Sequence, residues 1–317
     1  MAVELVPKII YHYCTLEAFC QIITRKELRL ADVRKTNDSA EQNWIFYIFK
    51  EYWDVMKRNL KQLSEENQAG EAEQPNHTQY LAALEELKRR SQSQDEKVLF
   101  DSIFHMLQKN YVGCAACFST KADLLSQWRG YADDGAGIAI GFRSAMFRDF
   151  VEEASKSGHL VSFGKVVYEL SRQMDYSQTI MTKILEEVAQ LPDQTEDALS
   201  PQLHGILDLW GESLFFKHAS FKEEREWRFI VNDHRLNTEL SQTDIYGRGC
   251  RVKPRKFYVR NADLVSYRNF GFESAKKPIL KITIGPKCQA SVSDVQMLLQ
   301  DNGLKGVTVK KSEATYQ

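Results

Sequence analysis

Short strand-forming segments, grouped between longer helical stretches, constrain the fold of this chain most strongly. Residues 137–143, 225–231 and 279–284 are rich in the β-branched and aromatic side chains that favour strands, and residues 111–119 (YVGCAACFS) form a mostly apolar run typical of a buried strand. Shorter strands are expected at 9–13, 28–30, 163–170, 250–259 and 307–310. Strands that recur in this way, with helices gathered elsewhere, predict an α+β fold with a mostly antiparallel β core.

The helical stretches are predicted to be two insertions into that core. They cover about residues 43–110 and 173–218, where apolar residues recur at helical spacing. A helix is also expected after Thr15, whose hydroxyl suits an N-cap, and another at 292–302. We therefore expect residues 1–317 to form a single domain.

The charge balance and hydropathy exclude several classes of protein. Lys and Arg number 42 and Asp and Glu number 43, giving a net charge of −1. A purely electrostatic nucleic-acid binder needs a large positive charge instead. No apolar run approaches the ~18 residues of a membrane span, and the N-terminal residues do not resemble a secretory signal. We expect a cytoplasmic protein with no membrane partner.

The spacing of Cys114 and Cys117 is that of a metal or redox pair, but its setting differs. Both residues fall in the predicted strand 111–119, where a separation of three directs the two sulfurs to opposite faces. No second Cys or His pair follows at a spacing suited to zinc. We expect buried structural thiols and no metal site here.

Polar residues that could carry chemistry occur in four groups near the ends of the strands. These are Tyr11-His12-Tyr13, Asn37-Asp38 with Glu41, Cys117-Phe118-Ser119 with the loop from Gln127 to Gly137, and the run from Glu224 to Arg228. Each also has an ordinary structural interpretation: a packed histidine, a turn, a hairpin connection or a surface ion pair. No phosphate-binding loop, dinucleotide fingerprint, zinc-protease or serine-hydrolase motif is present.

The last group contains two carboxylates and a guanidinium at spacing two. Alternation along a strand that begins near Arg225 places Glu224, Glu226 and Arg228 on one face, where Arg228 can pair with a glutamate. Two such carboxylates can act as acid and base, or they can bind a divalent metal together with Asp38. A metal-dependent nuclease using Asp38, Glu224 and Glu226 is therefore one open alternative.

The four groups, in this order, resemble an uncharacterised bacterial family built on a domain of unknown function. Members share a Tyr-His-Tyr start, an Asn-Asp loop, a Cys-Phe-Ser strand, a Trp-x-x-Tyr-Ala block and a Glu-Arg-Glu-Trp-Arg strand. Here these are Tyr11 to Tyr13, Asn37-Asp38, Cys117 to Ser119, Trp128 to Phe142 and Glu224 to Arg228. The resemblance implies an association with phage defence, and hence other defence-system components as partners.

The opening Tyr-His-Tyr-x-Thr, with its following helix and Leu28-Arg29-Leu30 strand, is also similar to the start of ADP-ribosyltransferase folds. This likeness implies a split-sheet core, NAD as cofactor, and Glu226, Glu224 and His12 as the catalytic residues. The cofactor contacts that it implies, beside His12, are Tyr13, Asn37, Asp38, Ser119, Trp128, Tyr131 and Arg228.

The likeness to ADP-ribosyltransferases predicts an effector or toxin that modifies nucleic acid or protein. A carboxylate beside the ribose stabilises the positive charge that develops when the bond to nicotinamide breaks. The second open alternative is a non-catalytic sensor or adaptor of a defence system, in which the same polar groups are structural ion pairs.

Overall fold

The computed structural model describes residues 5–35, 111–156, 161–177, 213–234, 251–260 and 262–316, together with the single positions 44, 47, 48, 51, 58 and 211. Contacts between Cα atoms divide the chain into two compact units. The first consists of Met1–Asn37, Val112–Val166 and Ser220–Gln317, and the second of Asp38–Tyr111 and Val167–Ala219. The second unit contains both ranges expected to be insertions, and the single-domain organisation stays a prediction.

An open, mostly antiparallel sheet dominates the first unit. Its strands within the described residues are β1 Ile9–Cys14, β2 Glu27–Asp32, β3 Tyr111–Ser119, β4 Ile138–Arg143, β5 Val161–Lys165, β6 Glu226–His234, β7 Lys256–Arg260, β8 Asp263–Gly271, β9 Ile279–Ile284 and β10 Thr308–Lys311. They lie in the order β10-β9-β4-β1-β3-β2-β8-β7, with β6 paired to β3 and β5 to β6. The pair β9 and β10 is parallel. The predicted α+β class and antiparallel core are confirmed.

One residue pair joins the two halves of this sheet. Strand β1 runs antiparallel to β4 along its whole length, but it meets β3 at Tyr11 opposite Ser119. Strand β3 pairs with β2 nearer its own start, at Ala115 and Cys114. The strands therefore form one group ending at β1 and a second group around β3, and their junction lies beside Ser119.

Four helices pack around the strands of the first unit in the described part of the chain. They are α1 Leu16–Arg25, α2 Leu125–Tyr131, α3 Ala145–Lys156 and α4 Val292–Asp301. Helix α1 has the expected cap, because the hydroxyl of Thr15 accepts from the backbone N–H of Ala18 at 3.1 Å. Among the described residues no helix combines the length and the apolar character needed to cross a membrane.

Aromatic rings form the centre of the main core. Phe147 of α3 lies with its ring centroid 5.0 Å from those of Phe118 in β3 and Phe229 in β6. Phe229 in turn lies 4.9 Å from Phe270 in β8. Each fully buried ring of this size contributes roughly 1.5–3 kcal/mol. These rings thus connect α3 with strands β3, β6 and β8.

The described residues of the second unit form a smaller cluster of their own. The ring of Trp44 stacks on Tyr47 with centroids 5.0 Å apart, and its Nε1 donates to Oε1 of Gln173 at 3.1 Å. The amide of Gln173, which is buried, donates to the carbonyl of Lys217 at 2.9 Å. Most of the predicted helical insertions, 43–110 and 173–218, lies outside the described residues.

Several sequence expectations differ from the structure. Strand β5 is Val161–Lys165 rather than 163–170, and β7 begins at Lys256 rather than near 250. Helix α2 covers the start of the segment from Gln127 to Gly137 that was expected to be a loop, and neither α3 nor β8 was expected. Cys114 is buried as expected, but Cys117 is exposed. The expectation of a buried Cys117 is wrong because it lies on the face of β3 that points away from the core.

Candidate active site

The candidate site lies where β1, the end of β3 and the start of β6 come together. Tyr11 of β1 is opposite Ser119, the last residue of β3. The backbone N–H of Thr120 donates to the carbonyl of Arg225 at 3.3 Å, which attaches the end of β3 to the residue before β6. Three of the four polar groups found in the sequence therefore meet at this junction.

His12 of β1 contacts β3 through a hydrogen bond and a ring contact. Its Nδ1 lies 3.0 Å from the carbonyl oxygen of Cys117, and because a carbonyl only accepts, Nδ1 carries the hydrogen. The ring also packs edge-on against Phe118 with centroids 5.8 Å apart. Burial lowers the pKa of His12, although the hydrogen bond to Cys117 acts in the opposite direction. The lowered pKa favours the neutral imidazole, in which Nδ1 carries the hydrogen and Nε2 is the acceptor.

Tyr13 and Trp128 occupy the opposite face of β1. Their rings meet edge to face, with an interplanar angle of 74° and centroids 4.8 Å apart. The Tyr13 hydroxyl donates to the carbonyl of Lys121 at 2.9 Å and accepts from the N–H of Leu124 at 3.1 Å. Trp128 is fully buried, and its Nε1 donates to Asp123 at 2.6 Å. The polar atoms of both predicted cofactor contacts thus hold the loop after β3 in place.

Asp123 was not among the expected site residues, yet it organises that loop. Besides Trp128, it accepts from the hydroxyl of Ser312 at 2.6 Å and from the N–H of Glu313 at 2.7 Å. Burial acts to raise the pKa of Asp123, but these three hydrogen bonds and the charge of Lys310 lower it overall. Asp123 is a single acidic residue between a strand and a helix and belongs to no motif. The sequence therefore gave no signal for its role in holding the loop.

Ser119 and Tyr131 both contact Glu224. The buried hydroxyl of Ser119 donates to the Glu224 carbonyl at 2.7 Å and accepts from the N–H of Lys121 at 3.1 Å. The Tyr131 hydroxyl donates to Oε1 of Glu224 at 3.3 Å. Tyr131 is 40% exposed and Glu224 only 8%. An accessible aromatic ring therefore lies at the surface next to a largely buried carboxylate.

The backbone turns sharply between the two glutamates. Glu224 ends a 3₁₀ turn, Ala219–Glu224, and Glu226 begins β6. Arg225 between them has φ of 49°, in the left-handed region; this conformation costs roughly 1–3 kcal/mol for a residue other than glycine. The expectation that Glu224 shares a strand face with Glu226 is wrong, because strand alternation does not extend back across Arg225.

Glu226 and Arg228 form a buried, two-point ion pair. Nε of Arg228 lies 2.7 Å from Oε1 of Glu226, and Nη2 lies 3.1 Å from Oε2. Each residue is 5% exposed. Both oxygens accept from the guanidinium, which is the geometry of an ionised carboxylate. The predicted pairing of a carboxylate and a guanidinium two positions apart is confirmed.

Alternation along the strands separates His12 from this pair. His12 lies on the same face of β1 as Ile10, a member of the main core. Trp227 and Phe229 of β6 belong to that core, so alternation places Glu226 and Arg228 on the opposite face of β6. The histidine thus projects from the core face and the glutamate from the other face of the sheet.

The junction therefore brings together Ser119, Tyr131, Glu224, Glu226 and Arg228, while Asn37 and Asp38 lie outside the described residues. In the part of the chain that the structure describes, no group of three or more His, Cys, Asp and Glu side chains is arranged to hold a metal ion.

A family model described as protein of unknown function (DUF2971) matches residues 127–229. The match covers about a third of the chain and runs from α2 into β6. It includes Tyr131, Glu224 and the Glu226–Arg228 pair, and over this range the chain is similar to an uncharacterised domain family, as expected. No curated protein and no solved structure matches the chain.

Proposed function

We propose that this chain is an NAD-dependent ADP-ribosyltransferase-like effector whose reactive centre is the pair Glu224 and Glu226. The observation that carries the proposal is the setting of these two largely buried glutamates at the entry to a core strand. One contacts a surface tyrosine and the other is held by Arg228. Buried carboxylates, separated by a left-handed residue, are costly in a fold and are typical of functional sites.

The residues beside this pair suit a nicotinamide nucleotide. The exposed ring of Tyr131 offers a flat surface on which a planar heterocycle can stack. Glu224, whose Oε1 now accepts from the Tyr131 hydroxyl, provides acceptors for a ribose hydroxyl. NAD would supply the ADP-ribosyl group, with nicotinamide as the leaving group.

The protein's contribution would be electrostatic. Arg228 fixes Glu226 as an ionised carboxylate that does not need to reorient during the reaction. A fixed negative charge favours a transition state in which positive charge develops on a sugar, as it does in glycoside cleavage. In this scheme Tyr131 and Glu224 bind and orient, and Glu226 stabilises charge.

The predicted role of His12, which is contact with the ribose, fits this scheme less directly. Its Nδ1 bonds to Cys117 and its side chain is on the core face of β1. We propose that it acts as a positioning residue that holds β1 at the junction. Replacing His12 with Ala would then lower stability together with activity, whereas loss of a ribose contact would raise KM and leave stability unchanged.

The pairing of Glu226 with Arg228 weighs against a metal-dependent nuclease. A metal ion ligated by Glu226 would have to displace Arg228, because both carboxylate oxygens already accept from its guanidinium. Asp38, the third residue of that alternative, lies outside the described residues.

The direct test is transfer of labelled ADP-ribose from NAD to RNA, DNA and protein fractions. We expect transfer by the parent chain and a loss of roughly 100-fold or more in Glu226→Gln, the scale of removing one electrostatic group from a reaction centre. Glu224→Gln should also lose activity. Glu223→Gln is the matched control, because Glu223 lies in the same turn and is exposed.

Thermal unfolding of each variant separates loss of chemistry from loss of folding. The proposal is abandoned if no fraction is labelled and no NAD is consumed, or if folded Glu224→Gln and Glu226→Gln variants retain full activity. Retained biological activity in a folded double variant would favour the sensor or adaptor alternative.

The setting that we propose is the bacterial cytoplasm, in anti-phage defence or as a toxin acting with other defence-system components. Inducible expression with and without phage challenge tests this setting. Growth arrest or protection that disappears in Glu226→Gln, but persists in Glu223→Gln, would support it.

A further inference from the structure

One edge of the sheet is strongly basic. Residues 251–260 contain five Lys and Arg residues and no Asp or Glu; the basic residues are Arg251, Lys253, Arg255, Lys256 and Arg260. Over 251–277 the count is eight Lys and Arg against two Asp and Glu, a formal charge of +6 in a chain of net charge −1. The chain's neutrality therefore conceals a local excess of positive charge.

The fold extends this segment along the outside of β8. The N–H of Lys253 donates to the carbonyl of Asn269 at 2.8 Å, and β7 then pairs antiparallel with β8 from Lys256 to Arg260. In the sheet order β7 is the last strand at this end. The basic side chains are thereby distributed along one extended edge instead of being gathered on a flexible coil.

The two acidic residues of the segment do not cancel this charge. Asp263 pairs with Lys35 from outside the segment at 2.6 Å. Glu273 lies 3.6 Å from Lys253, and both side chains are partly exposed. Because Lys35 adds a further positive charge, the pair with Asp263 leaves the excess of the segment in place.

Aromatic rings lie next to the basic edge. Register places Lys256 opposite Tyr267 and Tyr258 opposite Val265, so these side chains share a face of β7 and β8. The guanidinium of Arg29, on neighbouring β2, lies 4.6 Å from the ring centroid of Tyr267 and 5.1 Å from that of Tyr258. The two rings meet edge to face at 5.7 Å. Arg29 is exposed, so a preoriented planar cation faces solvent there.

Basic side chains along an extended strand, beside a planar cation and aromatic rings, are the chemistry that binds single-stranded nucleic acid. The lysines neutralise phosphates, and guanidinium or aromatic planes stack on bases that are not paired. A duplex offers the same phosphates but hides its base faces, and an anionic membrane offers no bases. We infer that the face formed by Arg29, Lys253, Lys256, Tyr258 and Tyr267 binds single-stranded nucleic acid.

The test is fluorescence anisotropy with labelled single-stranded DNA and RNA in about 0.1 M salt, using the full chain without any nicotinamide nucleotide. The result is then independent of the proposed transferase activity. The double variant Lys253→Ala, Lys256→Ala removes two phosphate contacts. It should bind roughly 25-fold more weakly, and its plot of log binding constant against log salt concentration should be shallower by about 1.4.

The matched control is Lys305→Ala, Lys311→Ala, which removes the same charge from exposed positions at the β10 end of the sheet order. It should bind like the parent. Arg29→Lys tests the stacking part, because it keeps the charge but loses the plane. In the parent, an abasic strand of equal length should bind about 10-fold more weakly than the intact strand, and Arg29→Lys should reduce that difference.

Four results would overturn the inference. They are no binding at concentrations up to about 100 µM, the range of non-specific affinity; equal losses in the two double variants; equal binding of intact and abasic strands; or equal binding of duplex or of phosphatidylserine vesicles.

Discussion

At the scale of single residues, Arg228 is the side chain on which the site most depends. It is the two-point partner of Glu226, and both are almost fully buried. Arg228→Met would leave a buried carboxylate without its guanidinium, which typically costs about 3–5 kcal/mol. We expect the midpoint of urea unfolding to fall accordingly.

The double variant Glu226→Met, Arg228→Met distinguishes two costs. One is the cost of leaving the buried Glu226 carboxylate without Arg228, and the other is the cost of losing the arginine side chain itself. Replacing a buried ion pair with apolar residues of similar volume is often close to neutral. We therefore expect it to recover most of the stability that Arg228→Met loses. Equal stabilities for Arg228→Met and the parent would contradict the pairing.

His12 gives the chain a dependence on pH. Burial holds the pKa of His12 below its usual value, so between that lowered value and about 6.5 the unfolded chain binds more protons at this residue than the folded chain. The contribution of His12 to the free energy of unfolding is therefore greatest above about pH 6.5 and is lost as the pH falls below that value. We expect His12→Asn to flatten the change in unfolding free energy between pH 7.5 and 5.5. An unchanged pH dependence would show that His12 is not buried in its neutral form.

The sequence pattern identified part of the site at this scale and could not identify the rest. Spacing two in a strand was enough to predict the Glu226–Arg228 pair, because strand alternation is a local rule. The left-handed φ of Arg225 and the three hydrogen bonds to Asp123 depend on loops and tail residues far apart in sequence. No periodicity encodes them.

At the scale of elements, the loop after α2 is fixed against β1 by a glycine. A Cβ added at Gly137 would clash with the carbonyl oxygen of Cys14 and with Ala132. The backbone of Gly137 also bonds to Ala132 at 2.8 Å and to Gly285 at 2.9 Å. We expect Gly137→Ala to separate this loop from the strand and to lower the thermal unfolding midpoint markedly.

Gly130→Ala is the control for that substitution. Gly130 lies in α2 and a Cβ there meets no atom within 4 Å. Alanine in a helix is favoured over glycine by roughly 1 kcal/mol, so this variant should be as stable as the parent or more stable. A Gly137→Ala variant that behaves in the same way would refute the close approach.

Local composition decided which elements were foreseen. Strand β3 was predicted with its observed ends because its nine residues form a mostly apolar run between the polar pairs Lys109-Asn110 and Thr120-Lys121. Strand β8, DLVSYRNFG, contains Asp, Ser, Arg and Asn and was missed. It is a strand because β2 and β7 pair with its two edges. Pairing with distant strands therefore outweighed local propensity, and a short stretch of sequence contains no information about that pairing.

At the scale of the whole molecule, charged groups are distributed unevenly over the sheet. The glutamate pair lies at the junction of β1, β3 and β6, whereas the basic residues lie at the β7 edge. A target strand bound at the basic edge and a nucleotide bound at the junction would be held by separate surfaces. Binding of the two can therefore be measured, and can fail, independently.

We propose that the junction binds NAD through Tyr131 and Glu224, and calorimetric titration of the full chain with NAD measures this binding. We expect one site per chain, weakened about tenfold or more by Tyr131→Ala through loss of ring stacking. Leu125→Ala is the control, because Leu125 lies on the same helix and is 43% exposed against 40% for Tyr131; it should bind NAD like the parent. Absence of heat with the parent chain, or equal affinity in the folded Tyr131→Ala variant, would contradict the claim.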